Sequence, residues 1–285
     1  MNILQPDNGI GRQPPLSILA AIHGGADAML PFAHALRLAL GSKGVIEIID
    51  VRKSGARRSD TGVRKLLERW GVLPKGSRRE DVDTLGLRVK KIVKPGHAKK
   101  EISKRLEKSE HDLLVIGTCE RKGIAHLFSS DLVEHLANKQ RQTTLYIPDR
   151  AKPFVNIETG ALNLHTVLVP IAVDPPPESS FVMVQRLSRL LNGGTPLEVI
   201  GMHVGDMVPY VSASVMEDLS YRELTVQPGE EPVANSIASA ADREKVDLIV
   251  MATNGRDTIA QHIVGSVTEQ VLRKTPCPVL AVAVE

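Results

Sequence analysis

The stretch DLIVMATNGRDTIAQHIVGSVTEQVL, residues 247–272, decides how the rest of the chain is read. A short apolar run ends at Ala252, a loop carrying Gly255 follows, and Gly265-Ser266 opens a segment of helical periodicity. Residues 112–136, DLLVIGTCERKGIAHLFSSDLVEHL, repeat the rhythm without glycine at the positions of Gly255 and Gly265. One loop is present twice, and only the later copy keeps its glycines.

The repetition extends well beyond the loop. Residues 93–118, VKPGHAKKEISKRLEKSEHDLLVIGT, align with residues 226–253, VQPGEEPVANSIASAADREKVDLIVMAT, with a two-residue insertion in the second. Both read as a strand end, a Pro-Gly turn, an amphipathic helix and a buried strand. The copies also share openings (LSILAAIHGG and HTVLVPIAVD) and endings (TTLYIP and CPVLAVAV). A period of about 135 residues is far too long for a solenoid. The chain therefore reads as two tandem domains, 16–149 and 164–285, joined by a linker near 149–163.

Within each copy, short Val/Ile/Leu runs alternate with helical patterns. In the first copy the expected strands lie near 17–22, 44–51, 86–93, 112–117 and 143–147. In the second they lie at 167–171, 197–204, 222–226, 247–251 and 278–284, with helices at 179–191, 232–244 and 266–274. Near-continuous apolar strands alternating with helices imply an α/β fold whose parallel sheet is covered on both faces. The first copy also carries a basic insertion over 52–84, in which TGVRKLLERWGVLPKG reads as a short helix closed by Gly71 and Pro74.

Composition narrows the function classes. Aromatic residues make up 3% of the chain, which disfavours the stacking platforms that single-stranded nucleic acid requires. Basic residues at 52–58 and 78–79 alternate with carboxylates and read as a solvated insertion. The two cysteines, Cys119 and Cys277, have no metal-ligand spacing and read as reduced thiols. Residues 1–15 have neither a basic start nor an apolar core, so they read as a polar leader in a cytoplasmic protein. The apolar region 16–40 is interrupted by His23, Asp27, His34 and Arg37, as a strand, turn and helix would be. Residues 1–150 carry 27 Lys+Arg against 17 Asp+Glu, while residues 151–285 carry 9 against 16. One half is basic and the other acidic, which suits solvated surface variation, an anion-attracting face, or docking of opposite charges.

The later loop has the chemistry of an anion cradle. In an open α/β sheet, ligands collect at the carboxyl ends of the strands, where the strand order reverses. Gly255 lets the backbone turn, Gly265 permits close approach, and Ser266 stands where a helix presents unpaired N–H groups. Ser266 equally fits an ordinary N-cap, with Glu269 completing a capping box.

The pattern resembles the universal stress protein family. Its ATP-binding members carry Gly-x2-Gly-x9-Gly-Ser/Thr between a DLIVMG-like strand and a VLRxxxCPVLVV-like ending. Here Asp247–Met251, Ala252-x2-Gly255, nine residues, Gly265-Ser266-Val267 and EQVLRKTPCPVLAV stand in that order. The resemblance covers nearly the whole chain after residue 15. It implies Rossmann-like domains of five parallel strands in the order 3-2-1-4-5, paired as a pseudo-dimer through their last strands. It implies nucleotide contacts from Gly255, Gly265, Ser266 and Val267 at the phosphates and ribose. Pro170, Val204, Met251 and Ala252 would line the adenine side, and the ligand would be ATP or another adenine nucleotide, with Mg2+ as a possible companion.

The departures are informative. Ala252 replaces the first motif glycine. The Asp that usually ends the family's first strand corresponds to Ala172 in the second copy, with Asp174 two residues on, and to His23 in the first. The first copy keeps Gly117 but places Glu120, Ser130 and Asp131 at the remaining motif positions, and two carboxylates there would repel a phosphate. Two functions fit these residues. One is a nucleotide-binding sensor or adaptor whose second domain holds the ligand. The other is a nucleotide-free scaffold acting through dimerisation and an unknown protein partner. The chain has no GxxxxGK[ST], HExxH or GxSxG motif, so no catalytic residue is assigned and no enzyme is expected. His262 reads as solvent-facing, and the chain as a monomer or a homodimer of such pseudo-dimers.

Overall fold

A computed structural model describes residues 14–23, 28–52, 62–118, 142–191, 196–254 and 267–284. The first half runs β1 (Ser17–His23), α1 (Met29–Ser42), β2 (Val45–Arg52), α2 (Val63–Arg69), α3 (Arg79–Asp83), β3 (Arg88–Pro95), α4 (Ala98–Lys108), β4 (Leu113–Thr118) and β5 (Thr144–Pro148). The second runs β6 (Thr166–Pro170), α5 (Glu178–Leu191), β7 (Glu198–Val204), β8 (Ser220–Val226), α6 (Val233–Arg243), β9 (Leu248–Asn254), α7 (Val267–Lys274) and β10 (Val279–Val284).

The strands form one sheet in the order β3-β2-β1-β4-β5-β10-β9-β6-β7-β8. Each half is parallel and follows the order 3-2-1-4-5. The halves meet where β5 and β10 pair antiparallel, Leu145 opposite Leu280 and Tyr146 opposite Val279. With each half's last strand closed against the other, β3 and β8 are the sheet edges among the described residues.

The two sheet faces are built differently. On one face a single core runs across both halves, from Ile18, Phe32 and Leu36 through Leu145 and Phe154 to Val167, Phe181 and Val199. Helix α1 lies in it with Phe32, Ala33, His34, Ala35, Leu36, Leu38 and Ala39 all buried, and α5 contributes Phe181, Val184 and Leu187. A helix apolar on nearly every side can be stable only when surrounded. On the opposite face lie two smaller cores, one around Leu19, Ile49, Ile102 and Leu114 with Ala281 of β10, the other around Leu168, Met202, Ile237 and Val271, and Leu272 packs against both.

An aspartate performs the same task at the head of each half. Asp112 accepts the N–H of Ser17 at 2.7 Å, and Asp247 accepts those of His165 at 2.9 Å and Thr166 at 3.1 Å. Each carboxylate joins the start of the half's fourth strand to the start of its first. Arg186 on α5 reaches across to Asp112 at 3.4 Å, and Lys152 reaches Asp247 at 3.4 Å.

The linker is an ordered hairpin that belongs to the core. Val155 bridges Leu162, and Phe154 and Val155 are fully buried. His34 holds it from α1: Nδ1 bonds to the Leu30 carbonyl at 2.8 Å, and Nε2 accepts the Val155 N–H at 3.3 Å. Nδ1 must therefore carry the proton, and burial lowers the His34 pKa to about 4. The insertion grips the same hairpin from outside. Trp70, just past α2, donates its indole N–H to the Ile157 carbonyl at 2.9 Å, and its ring presses on Gly160. Gly160 has φ +69, and a Cβ there would lie 2.4 Å from the Trp70 ring. The sequence anticipates α2; the short helix α3 beyond it is an addition, and β3 begins two residues later than expected, after the left-handed turn at Gly86.

Candidate functional site

The second half's strand order reverses between β6 and β9, and the crevice above that point is walled by the ends of β6, β7 and β9. Pro170 ends β6 opposite Met202 of β7, and Leu168 pairs Ile249, which brings Pro170 level with Met251. Met202, Met251 and the half-buried Val204 belong to the apolar cluster beneath α6 and α7. Pro170, two residues beyond Leu168 of that cluster, lies on the same face by strand alternation. Three of the four residues expected on the adenine side thus share one face. Ala252 falls on the other, alternating with Met251 and paired with Val282 of the core that spans both halves. Val267 opens α7 and is exposed. Gly255, Gly265, Ser266 and His262 lie outside the described residues, as does the first copy's loop with Cys119, Glu120, Ser130 and Asp131.

Two polar features sit at the mouth. Asn254, the last residue of β9, donates from its side chain to the Asp174 carboxylate at 2.6 Å, linking the loops after β6 and β9 across the switch point. His203 bonds through Nδ1 to the Ile171 carbonyl at 2.9 Å, so Nδ1 donates. Gly205 accommodates that ring: its φ is +151, and a Cβ would come within 2.5 Å of His203 Nε2. Asn254 and His203 are not legible as site residues in the sequence; the only hint for Asn254 is its place directly before Gly255. Val173, Met207 and Tyr210, on the loops after β6 and β7, are each at least 80% exposed.

The first half's mouth is furnished differently. By strand register Asp50 and Arg52 occupy the positions of His203 and Gly205. Asp50 is fully buried and accepts Arg52 Nε at 2.9 Å, an ion pair where the second half has an imidazole and a glycine. Elsewhere, burial pushes the Cys277 thiol up to about 12, with the Thr275 hydroxyl bond opposing it. Among the described residues no cluster of three metal-ligating side chains occurs, and no helix is long and apolar enough to cross a membrane.

Strand order and the two-half arrangement together define a tandem Rossmann-like α/β protein. Residues 213–283 match the universal stress protein family. A universal stress protein of Methanothermobacter thermautotrophicus is 29% identical, the match covering 34% of this chain and 83% of that protein. Another, from Methanocaldococcus jannaschii, is 45% identical over 49 residues; the chain spans 29% of that relative's length. A crystal structure of a universal stress protein from Archaeoglobus fulgidus superposes with a TM-score of 0.59 at 16% identity, over 92% of this chain and 95% of that one. The chain is thus similar to universal stress proteins, in sequence over part of its length and in fold over nearly all of it.

Proposed function

We propose that this chain binds an adenine nucleotide, ATP in the first place, in the crevice of its second half, and works as a cytoplasmic stress sensor or adaptor without catalysis. What supports the reading is the position in sequence of the Ala252-x2-Gly255-x9-Gly265-Ser266 motif, between β9, which ends at Asn254, and α7, which begins at Val267. Backbone N–H groups at that helix start suit phosphates. Met251, Pro170 and Val204 offer an apolar wall for a purine, and Gly255, Gly265, Ser266 and Val267 would hold the phosphates and ribose. A Mg2+ ion would arrive with the nucleotide.

Residues 16–149 and 164–285 act in this reading as unequal domains. The first, with Glu120 and Asp131 in its loop and the Asp50–Arg52 pair at its mouth, supplies the interface rather than a second site.

The test is to extract nucleotide from freshly purified protein, identify it by mass, and titrate ATP into wild type and Gly265→Glu by calorimetry. Binding that disappears in the variant supports the reading. Absence of binding in wild type sinks it, and leaves the competing reading of a scaffold that works through a protein partner. That reading is favoured by Ala172 and His23 standing where the family's first strand ends in Asp.

A further inference from the structure

Among the described residues the sheet ends in two unpaired edge strands of nearly equal length and opposite charge. Strand β3 with α4, residues 88–108, carries nine Lys or Arg and two carboxylates; its counterpart β8 with α6, residues 220–244, carries two against five. We propose that a second copy of this chain docks end to end, with β8 of one molecule pairing antiparallel to β3 of the next and Glu223 opposite Lys91.

Strand register fixes which backbone groups are available. Arg88 donates its N–H to Gly44 on the β2 side, so the even-numbered residues of β3 face β2, and Val89, Lys91 and Val93 face outward. Ser220 donates to Leu197 on the β7 side, so Tyr221, Glu223 and Thr225 face outward from β8. Each edge therefore offers three consecutive outward-facing residues with a charge at the centre. Set antiparallel, Val93 meets Tyr221, Lys91 meets Glu223 and Val89 meets Thr225. Apolar and β-branched pairs flanking an opposite-charge pair are the combination that stabilises cross-strand contacts.

Direction and face agree with this pairing. The two halves run antiparallel to one another across β5 and β10, so β8 runs antiparallel to β3 within one molecule. A copy carried along the sheet without turning over brings its β3 against β8 in the required sense. Val89 and Tyr221 both pack against the core shared by the two halves, so the outward rows of both edges lie on the same sheet face. Val93 is 53% exposed, and neither Lys91 nor Glu223 forms an ion pair among the described residues.

Lysine on an edge strand normally prevents aggregation. Here it blocks pairing of β3 with a second β3, which would place Lys91 against Lys91, and β8 with β8 is blocked equally by Glu223. Only the unlike pair remains. Because that contact is heterologous, assembly passes through dimers to longer rows.

Sedimentation velocity on the intact chain, over a wide concentration range in low and high salt, tests the proposal. The expected result is mass that grows beyond a dimer with concentration in low salt and falls back in high salt. Lys91→Glu and Glu223→Lys should each weaken association about tenfold or more, and the double exchange should restore it. Circular dichroism of these surface variants checks that each is folded. A monomer throughout, a closed dimer, single variants without effect, or a double variant that fails to recover would each overturn the proposal. A monomer whose basic edge binds random duplex DNA in a salt-dependent way would overturn it too, and assign that edge to a polyanion.

Discussion

Arg186 and Asp112 belong to opposite halves of the duplication, yet the guanidinium of the first lies 3.4 Å from the carboxylate of the second. The same carboxylate holds the Ser17 N–H at 2.7 Å, so one aspartate ties a strand head in its own half to a helix of the other. The symmetry-equivalent arginine, Arg37, stands twenty residues past Ser17 as Arg186 stands twenty past Thr166. It takes a different partner, the Gly160 carbonyl at 3.2 Å, while Lys152 of the linker lies 3.4 Å from Asp247.

These contacts should differ in weight. Arg186→Ala loses a partly exposed ion pair and should cost about 0.5–1 kcal/mol. Asp247→Ala strands two backbone N–H groups at a nearly buried site and should cost about 2–3 kcal/mol. Urea unfolding of both variants gives the order, and a larger loss for Arg186→Ala would contradict it.

His34 makes stability depend on pH. Its folded pKa of about 4 lies below the ordinary value of 6.5, so the unfolded chain takes up the proton first as the solution is acidified. The contribution is fully present above about pH 6.5 and is lost as the pH falls toward and through 4, the loss reaching about 3 kcal/mol once both states are protonated. His34→Phe should lower stability at neutral pH through loss of the Val155 bond, and should flatten this part of the pH profile. An unchanged slope in chemical denaturation between pH 7 and 4 would refute it.

Trp70 is the chain's only tryptophan, so its fluorescence reports docking of the linker hairpin. Gly160→Ala places a methyl into that ring and strains a left-handed backbone, with an expected cost of about 2 kcal/mol or more. The emission should shift to the red as the indole loses the Ile157 carbonyl and meets water. Emission and melting temperature identical to wild type would show that the hairpin does not depend on this contact.

Cys277 should be inert in the native protein. With its thiol raised to about 12 by burial, it supplies almost no thiolate at neutral or mildly alkaline pH. Alkylation followed by peptide mass analysis should leave Cys277 unmodified in buffer and modified in guanidinium. Rapid native labelling would show that the strand start opens locally.

Much of the architecture was legible because the chain states it twice. The paired Pro-Gly turns located β3 even though its exposed, lysine-rich pattern has no apolar run of its own. The linker was misleading for the opposite reason: its apolar residues are few and irregular, but Phe154 and Val155 are buried by elements more than one hundred residues away in sequence. The crevice shows the same limit. The wall residues Pro170, Val204 and Met251 follow from the family resemblance, whereas Asn254 meets Asp174 only because the fold brings positions eighty residues apart together. Ala252 illustrates a subtler gap, since a motif position says nothing of which sheet face its side chain occupies.

The uneven division of the two cores also bears on how such a chain changes over time. On the shared face, a substitution in either half alters packing for both, so the duplicated copies are bound to one another's history and neither is expected to survive excision as a folded fragment. On the face with two smaller cores, which meet around Ala281 and Leu272, the halves are less tightly bound to one another, and it is there that one copy's crevice could be lost while its twin's endured.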